Sequence, residues 1–527
     1  MFGTARNALS RSSLRLYSAI LPVAATHRPR KLSTDSFDPT IRQFLVKLAE
    51  HQPCFSLSSS DVSILHEPRV FYRTLLNMIR TARHRIFLSS LYIGSEDVEL
   101  IDALHTSLRN NPALHIYLHL DLNRSTRPGP DSAVHILLPL LRQYPDRVHV
   151  HLFRSPKLKG IMARLVPPRF NEGWGTWHPK VYGADDTLMI SGANLNTSYF
   201  TNRQDRYLQF TNQTRLADYC FGFLQASSTF SYTLLPSPDS SEGYVLHWPD
   251  VGTRPYRIEA KAQQALTAFQ SAQHLASSAT PVPGTEKNSP LRAEDEHDVL
   301  VFPVIQAGQF NIREEERCLS LLFRELSTQQ SPQLPGASKY DGPLIDLTSG
   351  YFALYKPYQQ AMINSRLAYR ILAASPRANG FYGSKGISGR IPEAYTLFER
   401  RFMRAVRAAG KEWPQDSLDV APGVQVNEWE QDGWTYHAKG IWVRPTPSSA
   451  PALTLFGSTN LNARSANLDT ELSFVLATTS SALRQRLADE VDGLRAHARA
   501  WRGAGNSEER RVRLGTRALV GLVGGML

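Results

Sequence analysis

The residues best suited to chemistry in this sequence are two histidine–lysine pairs, each separated by one residue. His178 and Lys180 occur in "TWHPKVYG", and His437 and Lys439 occur in "TYHAKGIW". On an extended strand, residues two apart point to the same face, so each pair presents an imidazole and an ammonium to one ligand. A fixed ammonium disfavours a metal cation but neutralises phosphate oxygens while the imidazole attacks phosphorus or transfers a proton. The pairs therefore predict chemistry on a phosphate and no bound metal.

The presence of two pairs predicts a double displacement at one phosphorus atom. One histidine is expected to act as nucleophile and form a phosphohistidine, and the other to protonate the leaving oxygen and later deprotonate the acceptor. After each pair the sequence reaches an asparagine, Asn194 or Asn460, whose amide hydrogens suit phosphate oxygens. Eleven residues further lies a carboxylate, Asp205 or Glu471. We expect these carboxylates to accept the distal ring N–H of a histidine.

The elements that position these residues are repeated along the chain. His437 follows His178 by 259 residues, and the β-rich stretch from Ile345 follows its counterpart from Ile86 by the same number. Strand-like runs alternate with helical patterns in both copies, which predicts an α/β fold of two duplicated αβα domains with mixed central sheets. The predicted segments are a transit peptide (1–34), a first domain (40–270), an exposed linker (277–298), a second domain (299–480), and a C-terminal amphipathic helix (481–501) followed by a basic and apolar tail to residue 527.

Composition and charge restrict the class of protein. The chain has 527 residues and a net charge of +12, and its longest apolar terminal stretch, 518–527, is about half of what a bilayer span requires. Residues 1–34 hold six cations and no acid, which is typical of a mitochondrial transit peptide, with a disordered basic tail as the alternative. The remaining +6 suits anionic ligands or peripheral contact with an anionic membrane surface. Three widely spaced cysteines indicate neither a disulfide framework nor a thiolate zinc site.

These motifs resemble those of the phospholipase D superfamily, in which HxKxxxxD followed by a GSxN-like step occurs twice. The first copy matches through Asp185 and continues as "SGAN", whereas the second has "GSTN" but carries Arg444 in place of the aspartate. Asp185 belongs to the catalytic motif of the family, although its place in the turn "GADD" favours a turn brace. The resemblance implies two domains packed about a pseudo-twofold axis with the active site at their interface.

Within the superfamily, flanking segments such as "LTSGYFALYKPYQ" resemble phosphatidyltransferases that act on CDP-diacylglycerol and glycerol 3-phosphate in phospholipid biosynthesis. That resemblance implies attack by His178, whose motif is intact, protonation of departing CMP by His437, and phosphate contacts from Lys180 and Lys439. It also implies no cofactor and a location on the matrix face of the inner mitochondrial membrane.

Two basic, glycine-containing loops are weaker candidates for substrate binding. Arg124 lies in "NRSTRPG", and Arg377, Lys385 and Arg390 lie in "SPRANGFYGSKGISGR". Their cations are suited to a pyrophosphate or a glycerol phosphate, and solvated basic loops are the alternative interpretation.

Other functions remain open at this stage. A phospholipase D or cardiolipin-type hydrolase would use water as acceptor, a nuclease would use the same histidines, and a lipid-binding scaffold would use the fold alone. The intact pairs argue against a scaffold, and the modest charge without a basic-aromatic stripe argues against nucleic acid as a partner. "GSED" at Gly94 lacks the Lys-Ser/Thr of a P-loop, so ATP hydrolysis is rejected.

Overall fold

The computed structural model describes residues 34–279, 297–328, 340–413, 420–501, 503 and 510–526. Nearly all of the predicted transit peptide and most of the predicted linker (280–296) lie outside the described residues. Within the described ranges, every helix is too short or too polar to cross a bilayer.

Short strands make up the centre of both halves. Those of the first half are β1 (Phe55–Leu57), β2 (Val62–Leu65), β3 (Arg85–Ser89), β4 (His115–Asp121), β5 (Val148–Phe153), β6 (Val181–Ala184), β7 (Thr187–Ser191), β8 (Arg203–Gln204), β9 (Tyr207–Phe210), β10 (Tyr232–Pro236) and β11 (Tyr244–His247). Those of the second half are β12 (Val299–Ala307), β13 (Ile312–Arg313), β14 (Leu344–Ser349), β15 (Ala368–Ala374), β16 (Gly423–Trp429), β17 (Thr435–Tyr436), β18 (Lys439–Arg444), β19 (Leu453–Gly457), β20 (Glu471–Thr478) and β21 (Ala498–Ala500).

Helices cover these strands. In the first half they are α1 (Pro39–Ala49), α2 (Pro68–Thr81), α3 (Val98–Asn110), α4 (Leu122–Ser125), α5 (Ala133–Gln143), α6 (Met162–Leu165), α7 (Thr197–Thr201), α8 (Thr214–Ser228) and α9 (Glu259–Ala279). In the second half they are α10 (Glu314–Thr328), α11 (Lys356–Asn364), α12 (Ile391–Ala408), α13 (Ala463–Asn467), α14 (Ser481–Arg495) and α15 (Leu514–Val523).

The hydrophobic pattern of the sequence accounts for this layering. Helix α2 begins with Pro68 at its first turn, where the missing N–H costs no hydrogen bond, and buries Phe71, Leu75 and Ile79 at helical spacing. Strand β12 is buried along its whole length, as expected for a central strand with both faces covered.

The described residues form two large mixed sheets with the same internal order. The first runs β11-β10-β5-β4-β3-β6-β7-β9-β2, and the second runs β1-β12-β20-β19-β18-β14-β15-β16-β21. Parallel pairs join β3, β4 and β5 in one sheet and β14, β15 and β16 in the other. Antiparallel pairs join β3 to β6 and β14 to β18. The predicted α/β duplication is therefore confirmed, with Ile86 and Ile345 on equivalent strands.

The predicted domain boundary at residue 40 is wrong because the N-terminal elements belong to the second sheet. Strand β1 pairs with β12, so that Phe55 lies opposite Val301. Helix α1 packs with α10 and adds an ion pair of 2.8 Å between Lys47 and Glu325. The first domain is therefore built from β2 onward.

The predicted C-terminal helix is shorter than expected. Helix α14 ends at Arg495, and β21 then adds an edge strand to the second sheet beside β16. The residues after 495 that were predicted to continue the helix include this strand. The sequence could not show it, because a strand of three residues is too short to be recognised by its hydrophobic period. Arg513 and Thr516, near the start of α15, both bond to Glu393 of α12 and tie the tail to the domain.

The two domains share one hydrophobic cluster. Phe210 of the first sheet stacks on Phe456 of the second, with ring centroids 6.1 Å apart. Buried Arg206 crosses the same interface and makes two 2.8 Å hydrogen bonds to Glu490. Its guanidinium lies 3.8 Å above the ring of Trp442. Apolar packing and a paired charge therefore hold the domains face to face.

Candidate active site

The two histidines lie where the two domains meet. The backbone N–H of His178 donates to the carbonyl of Thr470 at 2.9 Å, and that of His437 donates to the carbonyl of Gln204 at 2.8 Å. Each histidine segment is thus hydrogen-bonded to the opposite domain. Both imidazoles are 4% exposed, so the site is nearly closed to solvent.

Aromatic residues just before the histidines fix the two segments against the central strands. The indole N–H of Trp177 donates to the hydroxyl of Ser89 on β3 at 2.9 Å. The hydroxyl of Tyr436 pairs with that of Thr348 on β14. These contacts occupy equivalent places in the two domains and set the same orientation for both histidine segments.

The carboxylates that orient the imidazoles are exchanged between the domains. Nδ1 of His178 lies 2.8 Å from Glu471 Oε2, and Nδ1 of His437 lies 2.7 Å from Asp205 Oδ2. A carboxylate only accepts, so Nδ1 of His178 carries the hydrogen and its Nε2 is left for the substrate. Nδ1 of His437 lies 2.8 Å from Lys439 Nζ as well as against Asp205, so both groups orient this ring. The predicted contact between carboxylates and histidines is present, and the exchange between halves is new.

Glu471 is the better ionised of the two carboxylates. Although burial opposes ionisation, the interaction and hydrogen bond with His178 and the charge of Lys180 lower the pKa of Glu471 to about 2. Oε1 of Glu471 accepts a 2.6 Å hydrogen bond from the hydroxyl of Ser465. Oε2, which faces His178, also accepts from the hydroxyl of Ser458. Ser458 is the serine of "GSTN", so this step of the motif holds the carboxylate.

Both lysines are buried beside their histidines. Each Nζ folds back onto the carbonyl of its own histidine, and Lys439 also lies 3.8 Å from Asp205. Burial and the nearby charge of Lys439 lower the pKa of Lys180 to about 7, against the pull of Glu471. Burial lowers the pKa of Lys439 as well. The two ammonium groups therefore repel each other across the interface. Without a ligand, the nearby carboxylates offset only part of the effect of burial and repulsion.

The imidazoles are neutral in the free protein. Burial lowers the pKa of His178 against the opposing charge of Glu471. Burial and the positive charges of Lys439, Arg203 and Lys180 hold the pKa of His437 well below its usual value. A neutral imidazole is the nucleophilic form, and an anionic ligand would raise both pKa values.

The two predicted asparagines are used differently. The amide of Asn194 donates to the hydroxyl of Tyr199 at 3.1 Å, and that hydroxyl lies 3.4 Å from Nε2 of His437. Asn194 thus reaches the site through a tyrosine. The side-chain oxygen of Asn460 is buried without a hydrogen-bond partner among the described residues. Donation from either amide to phosphate stays a prediction.

Asp185 does not belong with the catalytic side chains, and its inclusion among them is corrected. Its carboxylate accepts from the backbone N–H groups of Arg83, His84 and Arg85, at 2.7, 2.9 and 3.0 Å. The residue has φ of +53°, which turns the chain between β6 and β7. Asp185 is a turn brace, and Arg444 at the equivalent place instead pairs with Asp346 at 3.0 Å.

The predicted substrate-binding cations are dispersed. Arg124 lies near the site, 3.3 Å from Glu172 and 4.2 Å above the ring of Tyr92. Arg377 and Lys385 are exposed on the loop between β15 and α12. Arg390 packs against the backbone of α15 at Gly515, so its predicted contact with substrate has no support in the geometry.

Sequence reasoning missed one cation beside the histidines. Arg203 lies on β8, its Nε donates to Thr435 Oγ1 at 3.0 Å, and its guanidinium carbon lies 4.5 Å above the ring of Tyr199. The rings of Tyr199 and Tyr351 in turn lie 5.1 and 5.3 Å from that of His437. In the sequence, the only indication of an aromatic residue at the site was that Tyr351 repeats Tyr92 at the 259-residue spacing.

No metal site accompanies this arrangement. Within the described ranges, no group of three or more His, Cys, Asp or Glu side chains is placed to hold a metal ion. The chemistry that the side chains themselves offer is nucleophilic attack by one imidazole and proton transfer by the other.

Comparison with solved structures supports the fold. Phosphatidylserine synthase of Haemophilus influenzae superposes with a TM-score of 0.63, covering 93% of this chain and 98% of that one at 18% sequence identity. No family model matches the chain. Two domains of this topology, each bringing a His-x-Lys segment to one buried site, therefore share the overall fold of that synthase.

Curated relatives narrow the class. The CDP-diacylglycerol–glycerol-3-phosphate 3-phosphatidyltransferase of Schizosaccharomyces pombe is 34% identical over 481 residues, which are 85% of this chain and 91% of the relative. The human mitochondrial enzyme of the same name is 35% identical over 84% of this chain and 78% of its own length. The chain belongs to the CDP-diacylglycerol–glycerol-3-phosphate 3-phosphatidyltransferase family. Several vertebrate relatives are named mitochondrial, which supports a mitochondrial location.

Proposed function

We propose that this chain transfers the phosphatidyl group of CDP-diacylglycerol to sn-glycerol 3-phosphate, releasing CMP and forming phosphatidylglycerophosphate. The observation that carries the proposal is the crossed pairing of His178 with Glu471 and of His437 with Asp205 in one buried interface. Such pairs orient two imidazoles in one site, which a double displacement at phosphorus requires. The family membership supplies the two substrates.

In the first displacement, Nε2 of His178 attacks the phosphorus of the phosphatidyl group. The P–N bond forms while the P–O bond to CMP breaks, and His437 gives its proton to the departing oxygen. The diphosphate of the donor brings negative charge into the site and raises the pKa of His437 from its depressed value, so that the imidazole carries the required proton. Lys180 and Lys439 neutralise the charge that builds on the phosphoryl oxygens.

In the second displacement, a hydroxyl of glycerol 3-phosphate gives its proton to His437 and attacks the same phosphorus. The P–N bond breaks and His178 returns to its neutral form. His178 is assigned as the nucleophile because its motif is intact and because ionised Glu471 stabilises the positive ring of the phosphohistidine.

The proposal includes peripheral contact with a membrane at the matrix face of the inner mitochondrial membrane. Two exposed apolar segments lie close in the chain to residues near the site: Ile161, Met162 and Leu165 in and before α6, and Tyr382 and Ile387 between β15 and α12, with exposed fractions of 46 to 74%. We call these five residues the apolar rim. Lys157, Lys159 and Lys385 lie among them. Exposed apolar tips with adjacent cations suit insertion beside anionic headgroups.

The reaction is tested with radiolabelled glycerol 3-phosphate and CDP-diacylglycerol, using detergent-solubilised protein in EDTA. We expect label in an organic-soluble product and its loss in His178→Ala and in His437→Ala. Release of phosphatidic acid without transfer of label would identify a hydrolase, and cleavage of oligonucleotides with neither lipid reaction would identify a nuclease. Either result contradicts the proposal.

A further inference from the structure

Arg203 differs from the other arginines near the histidines in lacking a carboxylate partner. Arg124 pairs with Glu172, and Arg464 pairs with Asp469 at 2.8 Å. Among the described residues, no carboxylate lies within ion-pair distance of the Arg203 guanidinium, which contacts the hydroxyl of Thr435 and both the ring and the hydroxyl of Tyr199. A largely enclosed guanidinium without an anion is a binding site for one.

The pseudo-symmetry of the two domains shows that Arg203 is specific to one side of the site. Arg203 precedes Asp205 by two residues, and Asp469 precedes Glu471 by two. Asp469 accepts from the backbone and hydroxyl of Thr176, whose equivalent, Thr435, accepts from Arg203. At these equivalent positions, the residue that bonds to the threonine is therefore an acid, Asp469, on the His178 side and a base, Arg203, on the His437 side. Only the His437 side offers a cation at this position.

The loop after β15 packs closely against Arg203 and Tyr351. A Cβ placed on Gly380 would lie 3.0 Å from Nη2 of Arg203 and 3.2 Å from the hydroxyl of Tyr351. Glycine therefore lets the backbone approach both polar groups closely. The guanidinium and the tyrosine hydroxyl converge at the edge of the site, next to the ring of His437.

The chemistry of His437 identifies what this cation meets. In the proposed reaction His437 removes a proton from the acceptor, so the reacting hydroxyl lies at its Nε2 and the remainder of the acceptor lies close by. Glycerol 3-phosphate carries a phosphate three carbons from its free terminal hydroxyl, whereas water and uncharged alcohols carry none. A guanidinium beside His437 can discriminate between them by a charge-assisted hydrogen bond to that phosphate.

We propose that Arg203, with the hydroxyl of Tyr351, binds the phosphate of the acceptor and so selects glycerol 3-phosphate over water. This inference rests on the proposed transferase function. CMP, which leaves from the same side, also carries a phosphate, so the experiment has to separate the leaving group from the acceptor.

The test compares Arg203→Met and Arg203→Lys with the surface control Arg80→Met, which lies on α2. Two reactions are measured: transfer to labelled glycerol 3-phosphate, and exchange of labelled CMP into CDP-diacylglycerol without any acceptor. For Arg203→Met we expect the KM for glycerol 3-phosphate to rise roughly 30- to 100-fold, the range for loss of a charged hydrogen bond. CMP exchange should stay within about threefold of wild type, and release of phosphatidic acid relative to transfer should increase. Arg203→Lys should recover part of the KM.

Several outcomes would overturn the inference. Equal losses of CMP exchange and transfer assign Arg203 to the leaving group or to folding, and thermal unfolding of the variant separates those two cases. An unchanged KM for glycerol 3-phosphate removes Arg203 from acceptor binding. If the wild-type protein exchanges CMP but never transfers label, the proposed function itself fails, which is a different result from either of these.

Discussion

At the scale of the residue, the contact between Nδ1 of His178 and Glu471 decides which ring nitrogen faces phosphorus. Asp205 likewise orients the ring of His437. Since each carboxylate comes from the other domain, the geometry of each imidazole depends on the packing of the whole interface. Burial lowers the pKa of both neighbouring lysines, and a phosphate bound as proposed would stabilise their charged forms.

The variant Glu471→Gln tests whether the charge of this carboxylate supports catalysis by His178 rather than the stability of the fold. The amide retains the shape but loses the negative charge, so the phosphohistidine is less stabilised, and we expect kcat to fall about 10- to 100-fold. Asp185→Asn is the matched control: it weakens three backbone contacts and should lower the free energy of unfolding by about 1–2 kcal/mol. Its kcat should stay within about twofold of wild type. Steady-state kinetics and urea denaturation measure both effects, and an equal loss of kcat in the two variants would contradict the assignment.

Lys180 gives the reaction a pH dependence. Its pKa is lowered to about 7, so the free protein holds this proton below pH 7 and loses it above. If the ammonium binds the donor phosphate, kcat/KM for CDP-diacylglycerol should decline as pH rises past about 7. Lys180→Arg keeps its charge throughout and, at reduced absolute activity, should show no such alkaline decline. A decline of the same midpoint in that variant would exclude Lys180 as its source.

At the scale of the element, the parallel strands β4 and β5 carry neighbouring histidines in the first domain. The rings of His119 and His151 have centroids 6.1 Å apart. Burial and the charge of His149 lower the pKa of His151 to about 4, and burial with the charge of His151 lowers that of His119 well below its usual value. Both rings are neutral in the folded protein, and protonation opposes folding.

These strands should therefore make the protein sensitive to acid. The unfolded chain takes up a proton on His151 near pH 6.5, whereas the folded chain does so only near pH 4, so stability present above pH 6.5 is lost as pH falls between them. By that shift, His151 alone accounts for up to about 2 kcal/mol between pH 7 and pH 5. His151→Gln should lessen the difference between urea denaturation curves at these two pH values. An unchanged difference would mean that other groups control acid unfolding.

Much of the element order could be predicted from sequence, because the 259-residue repeat and the buried apolar strands are local signals. The histidine–lysine pairs, and a carboxylate for each imidazole, followed from spacing. The exchange of Asp205 and Glu471 could not be predicted, since nothing in their spacing from Asn194 or Asn460 shows which domain they face. Arg203 was missed because a single arginine indicates a binding site only when the structure shows that it is largely buried and has no carboxylate partner.

At the scale of the whole molecule, the two sheets face each other, and both segments of the apolar rim lie close in the chain to residues near the histidines. Glu172, just beyond α6, contacts Arg124, and Gly380, just before Tyr382, lies against Arg203. In the proposed function, we expect a lipid donor to approach from the surface that carries the apolar rim.

Charge placed on that surface should weaken membrane binding. We expect the double variant Ile161→Asp and Leu165→Asp to reduce sedimentation with vesicles containing anionic lipid about tenfold or more, because two buried apolar contacts are lost and repulsion is added. Leu275→Asp, on the exposed face of α9, is the matched control and should bind as wild type. Transfer assayed in detergent should be preserved in all variants. Equal binding of the two variants would place the docking surface elsewhere.

Strand β1 enters the chain early but completes a sheet whose other strands begin more than 240 residues later, at Val299. During synthesis or import, the N-terminal strand must therefore wait unpaired until the distant half arrives. Long-range closure of this kind slows folding and leaves an apolar edge uncovered meanwhile. The second domain therefore depends on a segment from the start of the chain, and we expect a fragment that begins at Val299 to lack one edge strand of its sheet.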